Sequence, residues 1–240
     1  MNKFDGYHVM KGWQASEFAN GKNTALIETY KKIIKEHQSR DIDLALDFGF
    51  GNGEMLQTIR NLGVQGIYGI EANTSLVHLA NKNGYYAFKS VDEIPKEIHQ
   101  KFDLIVAMHV MEHIDYDALR LIFTSLEGLL KPGGTVVAAF PNGESPFSNF
   151  AFNSDPTHIN ALTREKCRLL CQNTSIRLVS YKAFPSLGVL SNRFHTRLFA
   201  HARSFCEKIV YFILNKIIYG SEPVLLSPIA LAVWIREEKS

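Results

Sequence analysis

The stretch from Leu44 to Asn73, LALDFGFGNGEMLQTIRNLGVQGIYGIEAN, constrains the fold of this chain most. Its first residues are an apolar run stopped by glycine, which is typical of a strand covered on both faces of a parallel sheet. A loop with glycine at every second position follows, then apolar residues at helical spacing from Met55 to a closing Gly63. A second apolar run ends on the carboxylate of Glu71. The stretch therefore predicts a strand–helix–strand crossover whose loop approaches a ligand.

The glycine spacing separates two classes of nucleoside cofactor. A dinucleotide site needs the pattern G-x-G-x-x-G, whose third glycine lets the helix and strand pack closely under a pyrophosphate. Counted from Gly49, that third position holds Glu54, and a carboxylate there would oppose the pyrophosphate charge. The chain instead has D-x-G-x-G-x-G, formed by Asp47, Gly49, Gly51 and Gly53. This pattern disfavours a dinucleotide.

The D-x-G-x-G-x-G pattern resembles motif I of the class I S-adenosylmethionine-dependent methyltransferases. The resemblance is strong over about residues 40–143 and weaker to about residue 182. It implies that S-adenosyl-L-methionine is the cofactor and that the motif I residues hold it. It also implies that Glu71 receives both ribose hydroxyls, since a carboxylate accepts two hydrogen bonds. One departure is Phe50, where the family more often has a small residue; its ring either crowds the methionine portion or covers it.

Two further residues are expected at the cofactor. Asp92, in Ser90-Val91-Asp92, matches the family position whose acid meets the adenine; the alternative is that it caps a short helix. His109, which follows the fourth predicted strand, is the other. Ligands of open parallel sheets bind at the carboxyl ends of the strands. We therefore expect Asp47, Glu71, Asp92, His109 and Asn142 to converge on one cleft.

The order of patterns along the chain predicts an α/β, doubly wound fold. The resemblance implies a seven-stranded, mostly parallel sheet with an antiparallel last strand inserted beside the fifth. Residues 1–40 are expected to form an N-terminal helical lid segment, with a helix over 24–37, and residues 41–240 the methyltransferase domain. Strands are predicted near 44–48, 66–71, 85–88, 102–108, 134–140, 176–183 and 229–236.

The candidate catalytic residues are His158 and His113. The Asp-Pro-Thr-His tetrapeptide ending at His158, before a helix capped by Thr163, resembles bacterial O-methyltransferases acting on sugars and on quinone precursors. In-line methyl transfer to a hydroxyl needs alignment and a base, for which histidine is suited near neutral pH. Asp155 is expected to orient His158. The alternative to a catalytic role is that each histidine only holds its own loop in place.

A metal site is not expected from the sequence. Asp155, His158 and Glu112 offer ligand atoms, but no spacing forces them together. Glu112 and Asp115 are read as solvated acids at a helix start. Cys167 and Cys171, one helical turn apart, are read as buried small residues, because no further ligand pair completes a site.

The segment 187–223 is longer than the short turn that the family uses between its last two strands, and it is predicted to be a helical insertion. Aromatic and aliphatic residues recur there at helical spacing among basic residues. Two interpretations stay open: a peripheral membrane contact through 194–219, or packing against the sheet or a second subunit in a homodimer. Tyr7, His8, Trp13 and Phe18 precede the fold proper and are expected to belong to a lid over the donor; the alternative for Trp13 is ordinary packing.

Composition sets limits on partners. The formal net charge of +2 at pH 7 gives no sign of a nucleic-acid interface. Three cysteines and no signal-peptide pattern favour the cytoplasm, with the inner membrane surface as an additional location.

The sequence thus predicts a methyltransferase that O-methylates a sugar, glycan or lipid-linked small molecule. An NAD(P)-dependent oxidoreductase and a non-catalytic cofactor-binding partner subunit are the alternatives.

Overall fold

The computed structural model describes residues 11–12, 17–21, 23–38, 41–185, 194–220 and 224–238. A seven-stranded sheet with the order β3-β2-β1-β4-β5-β7-β6 forms its centre, and helices cover both faces. The strands are β1 Leu44–Phe48, β2 Gly66–Ile70, β3 Tyr86–Phe88, β4 Phe102–Met108, β5 Leu130–Pro141, β6 Ile176–Ala183 and β7 Ile229–Arg236. The α-helices are α1 Thr24–His37, α2 Glu54–Asn61, α3 Thr74–Lys82, α4 Tyr116–Leu129, α5 Asn149–Asn153, α6 Arg164–Leu170 and α7 Phe194–Leu214.

The strand directions confirm the predicted fold class. The first five strands pair in parallel, whereas β7 runs antiparallel to both β5 and β6 and lies between them. Six of the seven strands agree with the predicted bounds to within one residue. The fifth is longer than predicted, because the Pro-Gly-Gly segment continues β5 back to Leu130 beside an irregularity in its pairing with β4.

One face of the sheet is covered by α1, α2 and α3. The helix α1 has the predicted bounds, and the side chain of Asn23 caps it by accepting a hydrogen bond from the N–H of Leu26 at 3.2 Å. Ile33 and Ile34 of this helix are fully buried in one cluster with Leu56 of α2 and with strand residues. Burial of each such side chain is worth about 1.5–3 kcal/mol. The helix therefore belongs to the hydrophobic core.

The opposite face is covered by α4 and α6. Trp234 of β7 is fully buried there, its ring centroid 5.1 Å from that of Phe123, and its indole N–H donates to the carbonyl oxygen of Cys167 at 3.0 Å. Cys167 and Cys171 are free and buried, as the sequence predicts. Burial raises the pKa of both thiols, which keeps them neutral.

The connection between β6 and β7 contains α7 and a π-helical turn, Asn215–Tyr219. Many of its large apolar side chains are exposed, among them Phe199, Phe205, Phe212 and Ile217. Among the residues that the structure describes, none of the helices combines the length and the apolar character needed to cross a bilayer. The ends of the predicted insertion, 187–193 and 221–223, lie outside the described residues, as do Tyr7, His8 and Trp13 of the predicted lid.

Candidate functional site

The carboxyl ends of the parallel strands open into a cavity of about 630 Å³. Six of the seven predicted cofactor residues line it, namely Asp47, Gly49, Gly51, Glu71, Asp92 and His109. They come together because β1 to β4 run in parallel, so that the residue after each strand reaches the same edge of the sheet. Gly53 is not among the lining residues that the structure describes.

The glycines are needed for the path of the loop. Gly49, Gly51 and Gly53 have φ angles of +76°, +50° and +82°, which side chains rarely tolerate. A Cβ atom at Gly49 would lie only 2.4 Å from Cγ2 of Val110. Gly53 is the N-cap of α2, and a Cβ atom there would meet the ring of Phe18 at 3.0 Å. Gly53 therefore packs against Phe18, whereas Gly49 and Gly51 line the cavity.

The carboxylate of Glu71 fastens this loop to the end of β2. Its Oε2 atom accepts a hydrogen bond from the N–H of Gly51 at 3.1 Å, and its Oε1 atom accepts one from the N–H of Asn73 at 3.0 Å. Burial raises the pKa of Glu71, and these backbone hydrogen bonds oppose that rise. The carboxylate thus stands at the centre of the loop, where a ligand with two hydroxyls can reach it.

Asp47 is a buried acid whose charged form is strongly disfavoured by its surroundings. Its side chain is 1% exposed, and its Oδ2 atom has no hydrogen-bond partner among the described residues. Burial raises the pKa of Asp47 well above its usual range, and the negative charges of Glu71 and Glu54 raise it further. Three acids around one loop suit a ligand with positive charge, such as the sulfonium and ammonium groups of S-adenosylmethionine, and repel a pyrophosphate.

Phe50 and Phe18 cover the loop from one side. Phe50 is buried against Gly69, where a Cβ atom would lie 2.6 Å from its ring, and Phe18 meets it edge to face at a centroid distance of 6.1 Å. The N–H of Ala19 donates to the carbonyl oxygen of Asn52 at 2.9 Å. The aromatic ring that departs from the family pattern thus rests on β2 at the edge of the cavity.

Asp92 and His109 lie at opposite sides of the cavity. Asp92 is exposed on a short 3₁₀ helix, Val91–Glu93, of which Ser90 and not Asp92 is the N-cap residue. His109 has a φ angle of +56°, an uncommon conformation for a residue other than glycine. Its Nδ1 atom lies 3.4 Å from Oε1 of Glu112. Backbone strain of this kind often marks a functional position.

Glu112 is buried, and the expectation that it is a solvated acid is wrong. Its side chain is 1% exposed, and neither carboxylate oxygen has a hydrogen-bond partner among the described residues. The cause is tertiary: its backbone carbonyl accepts hydrogen bonds from Ile159 and Asn160, at 2.9 and 3.1 Å, which hold a loop over it. Asp115 is exposed and caps α4, as expected.

His113 is held by a chain of polar contacts. Its Nδ1 atom lies 2.8 Å from Oγ1 of Thr157, which in turn donates to Oδ1 of Asp155 at 2.6 Å. Lys11 forms an ion pair with Oδ2 of Asp155 at 2.8 Å. Burial opposes the ionisation of Asp155, but the hydrogen bonds from Lys11 and Thr157 hold its pKa well below the usual range. Burial also lowers the pKa of His113.

The contacts of His158 differ from those expected. Its Nδ1 atom lies 2.7 Å from the carbonyl oxygen of Phe152, so a backbone group orients the ring, and the carboxylate of Asp155 bonds to the hydroxyl that contacts His113 instead. The Nε2 atom of His158 lies 3.8 Å from Oε1 of Glu112, and the two imidazole centroids are 4.6 Å apart. The two predicted catalytic histidines therefore form one cluster, in which His113 lines the cavity and His158 lies behind it, outside the lining residues.

Asn142 is the one predicted cleft residue that does not line the cavity. It is fully buried, donates to the carbonyl oxygens of Leu225 and Ser227, and accepts a hydrogen bond from the hydroxyl of Tyr181 at 2.7 Å. It therefore joins the end of β5 to the segment before β7. The shift arises because the antiparallel β7 occupies the edge next to β5.

The site also contains residues that the sequence did not single out, among them Lys11, Tyr30 and Thr157. Lys11 and Tyr30 line the cavity, and Thr157 connects Asp155 to His113. Thr157 belongs to the same Asp-Pro-Thr-His tetrapeptide as His158, so the sequence could have indicated it. Nothing in the local pattern around Lys11 or Tyr30 distinguishes them from surface and core residues.

Comparison with known proteins agrees with this geometry. A family model described as a methyltransferase domain matches residues 24–181. A ubiquinone biosynthesis O-methyltransferase of Xanthomonas campestris is 32% identical over 98 residues, which are 38% of this chain and 40% of that protein. A phosphoethanolamine N-methyltransferase of Plasmodium falciparum is 27% identical over 135 residues, 53% of this chain and 51% of that protein. The chain thus matches about half or less of the length of these relatives.

Solved structures share the fold. A SAM-dependent methyltransferase from Archaeoglobus fulgidus superposes with a TM-score of 0.58 at 19% identity, over 88% of this chain and 94% of that one. The plantazolicin methyltransferase BpumL in complex with SAH superposes with a TM-score of 0.57 at 14% identity, over 99% and 92% of the two chains. Because the family model covers more than half of the chain, from α1 to β6, the chain belongs to the methyltransferase-domain family, within the class I S-adenosylmethionine-dependent methyltransferases that its motifs resemble.

Proposed function

We propose that this methyltransferase transfers a methyl group from S-adenosylmethionine to a hydroxyl oxygen of a sugar, a glycan or a lipid-linked small molecule. One observation carries the proposal: the cavity is acidic at the glycine loop and bounded by imidazoles at the far end of β4. The acidic end suits a cationic donor. The imidazole end suits an acceptor that must lose a proton.

The donor is proposed to lie along the carboxyl ends of β1 to β4. Glu71 binds the ribose hydroxyls, Asp92 lies at the adenine, and Asp47 faces the positively charged methionine portion. When bound, S-adenosylmethionine supplies a methyl group on a sulfonium sulfur, so that the carbon–sulfur bond breaks as the bond from the acceptor oxygen to carbon forms. The chain has to orient the two partners and exclude water, which lowers the barrier by removing unproductive arrangements.

An oxygen acceptor fits the histidine end better than an amine. A neutral amine has its nucleophilic electron pair ready, whereas a hydroxyl must be deprotonated as it reacts. The contact between Nδ1 of His158 and the carbonyl oxygen of Phe152 requires a proton on Nδ1, because a carbonyl only accepts. The Nε2 atom therefore keeps its electron pair in the neutral ring. The similarity to ubiquinone biosynthesis O-methyltransferases supports this choice.

The helix α7 supports a lipid-linked acceptor. Leu198, Phe205, Ile209 and Phe212 are exposed and recur along one side of it. Residues 194–219 contain four lysines and arginines and one acid. An apolar stripe with surplus positive charge suits the surface of an anionic membrane. We propose that α7 rests on such a surface while the acceptor enters the cavity.

The role of Glu71 is testable by binding. We expect Glu71→Ala to weaken S-adenosylhomocysteine binding about 10- to 100-fold, since a hydrogen bond to a charged group contributes about 1.5–3 kcal/mol. Calorimetric titration measures the dissociation constant. The matched control is Glu97→Ala, an exposed acid on a short 3₁₀ helix. Equal affinity in the two variants would remove Glu71 from the donor site.

Asp47 is expected to lower stability at neutral pH. Because burial raises its pKa in the folded state, the folded chain holds this proton more tightly than the unfolded chain, so stability falls as pH rises above about 4. We therefore expect Asp47→Asn to have a higher free energy of unfolding than the wild type at pH 7, with a smaller difference near pH 4. Urea denaturation at both pH values measures this, and the same variant should bind S-adenosylhomocysteine less tightly. A gain that is larger at pH 4 would contradict the assignment.

The acceptor class is testable with three kinds of substrate: sugars and lipid-linked glycans, phenolic quinone precursors, and phosphoethanolamine. We expect transfer to the hydroxyl compounds, measured as S-adenosylhomocysteine produced with the wild type. His158→Gln should lower kcat by about 100-fold or more while the affinity for S-adenosylhomocysteine stays within about twofold. Methylation of the amine alone would refute the oxygen acceptor, and unchanged kcat in the variant would refute the role of His158.

The role of α7 is testable by flotation with vesicles that contain phosphatidylglycerol. We expect the wild type to float and the double variant Phe205→Glu, Phe212→Glu to remain in the dense fraction. The control is Phe147→Glu, Phe150→Glu, which changes two exposed phenylalanines outside α7. Flotation that is the same in all three proteins would reject the membrane contact, and analytical ultracentrifugation of the same samples would show whether α7 joins two copies instead.

A further inference from the structure

The carboxylate of Glu112 is buried without the hydrogen bonds that a buried acid normally makes. A carboxylate that is 1% exposed, with both oxygens lacking a hydrogen-bond partner among the described residues, has lost its water without replacement. Burial of such a group is costly unless a cation or donors compensate. Its Oε1 atom lies 3.4 Å from Nδ1 of His109 and 3.8 Å from Nε2 of His158. Neither distance is that of a hydrogen bond.

Hydrogen bonds at Nδ1 decide which nitrogen carries the proton in the buried His113 and in the partly buried His158. Thr157 donates its hydroxyl proton to Asp155, so its oxygen is left to accept a proton from Nδ1 of His113. His158 donates from Nδ1 to the carbonyl oxygen of Phe152. In the neutral form of each ring, the nitrogen that carries no proton is therefore Nε2. Metal-binding histidines are oriented in this way, with the other nitrogen bonded to a carbonyl or to a group held by a carboxylate.

The spacing of the ligand atoms suits one ion. One ligand atom from each of Glu112, His113 and His158 lies within 4.8 Å of the others. Two ligands bound to one ion at about 2.1 Å stand up to about 4.2 Å apart, so small side-chain rotations close the set. His109 lies at the cavity side of the same carboxylate. This set replaces the Asp155, His158 and Glu112 combination that the sequence suggested and disfavoured.

We propose that Glu112, His113 and His158 bind a divalent transition-metal ion at the acceptor end of the cavity, with His109 beside it. Two imidazoles and one carboxylate favour ions such as Zn²⁺, Mn²⁺, Fe²⁺ or Co²⁺ over Mg²⁺ and Ca²⁺, which prefer oxygen ligands. The ion supplies the positive charge that the Glu112 carboxylate lacks. Lys11, Asp155 and Thr157 act as positioning residues that set the ring of His113.

The consequence for the reaction rests on the proposed function. Three protein ligands leave a position for an oxygen of the acceptor, and a bound cation lowers the pKa of a hydroxyl at that position. The hydroxyl proton then leaves to water, and the acceptor oxygen attacks the methyl carbon while the sulfur takes the electron pair of the broken bond. In this arrangement His158 is a ligand, and no separate base is required.

Cobalt binding tests the site without donor or acceptor. Tag-free, metal-stripped full-length chain is titrated with Co²⁺, and the visible absorption of the bound ion is followed, with Zn²⁺ added afterwards as competitor. We expect one Co²⁺ per chain, displaced by Zn²⁺. Glu112→Gln and His158→Gln should each weaken binding at least 10-fold, and Thr157→Val should weaken it about 10- to 100-fold. His78→Gln, which changes an exposed histidine on α3, should bind as the wild type does.

Circular dichroism and S-adenosylhomocysteine binding establish that each variant is folded. The proposal is overturned if the wild type binds no Co²⁺ or Zn²⁺, or if the Glu112 and His158 variants bind as the His78 variant does. Methyl transfer by the wild type, with and without a chelator, is measured separately. If the chain binds metal but methylates none of the hydroxyl acceptors, the proposed function alone is rejected. If the chain binds no metal and methylates a hydroxyl acceptor equally well with a chelator, the metal site alone is rejected.

Discussion

The hydrogen bond from the N–H of Gly51 to the carboxylate of Glu71 is the contact on which the cavity depends. It joins the loop after β1 to the end of β2, and it forms only because three alternate glycines give the loop a left-handed path. The same path brings Gly49 so close to Val110 that the loop after β4 is fixed as well. One short segment thereby sets the position of three strand ends.

The loop also gathers acidic side chains whose charged forms are disfavoured by burial and by one another. Asp47 is buried beside Glu71 and Glu54, and its raised pKa records the cost. Proteins accept such costs at functional sites because the ligand compensates for them. Glu112, which follows β4, is a second buried acid whose oxygens have no hydrogen-bond partner among the described residues, and it forms a cluster with His113 and His158. In the proposed function, Asp47 lies at the donor and Glu112 at the acceptor.

Most of the fold is predictable from the sequence because its elements are locally determined. The helix from Thr24 to His37 follows from a cap and apolar periodicity, and the strands follow from short apolar runs between glycines. The residues expected at the cofactor come together because a parallel sheet places the carboxyl ends of its strands at one edge. The cluster of Glu112, His113 and His158 is less predictable, since these residues become neighbours only through tertiary contacts. Glu112 reads as solvated until the loop with Ile159 covers it.

The segment before α1 links the two ends of the cavity. Lys11 lines the cavity and also pairs with Asp155, whose contact with Thr157 orients His113. Phe18, a few residues later, packs behind Gly53 and against Phe50. Lys11 thus contacts the histidine cluster through Asp155, and Phe18 contacts the glycine loop. The arrangement of the imidazoles therefore depends on Lys11, a residue that no local pattern around the histidines contains.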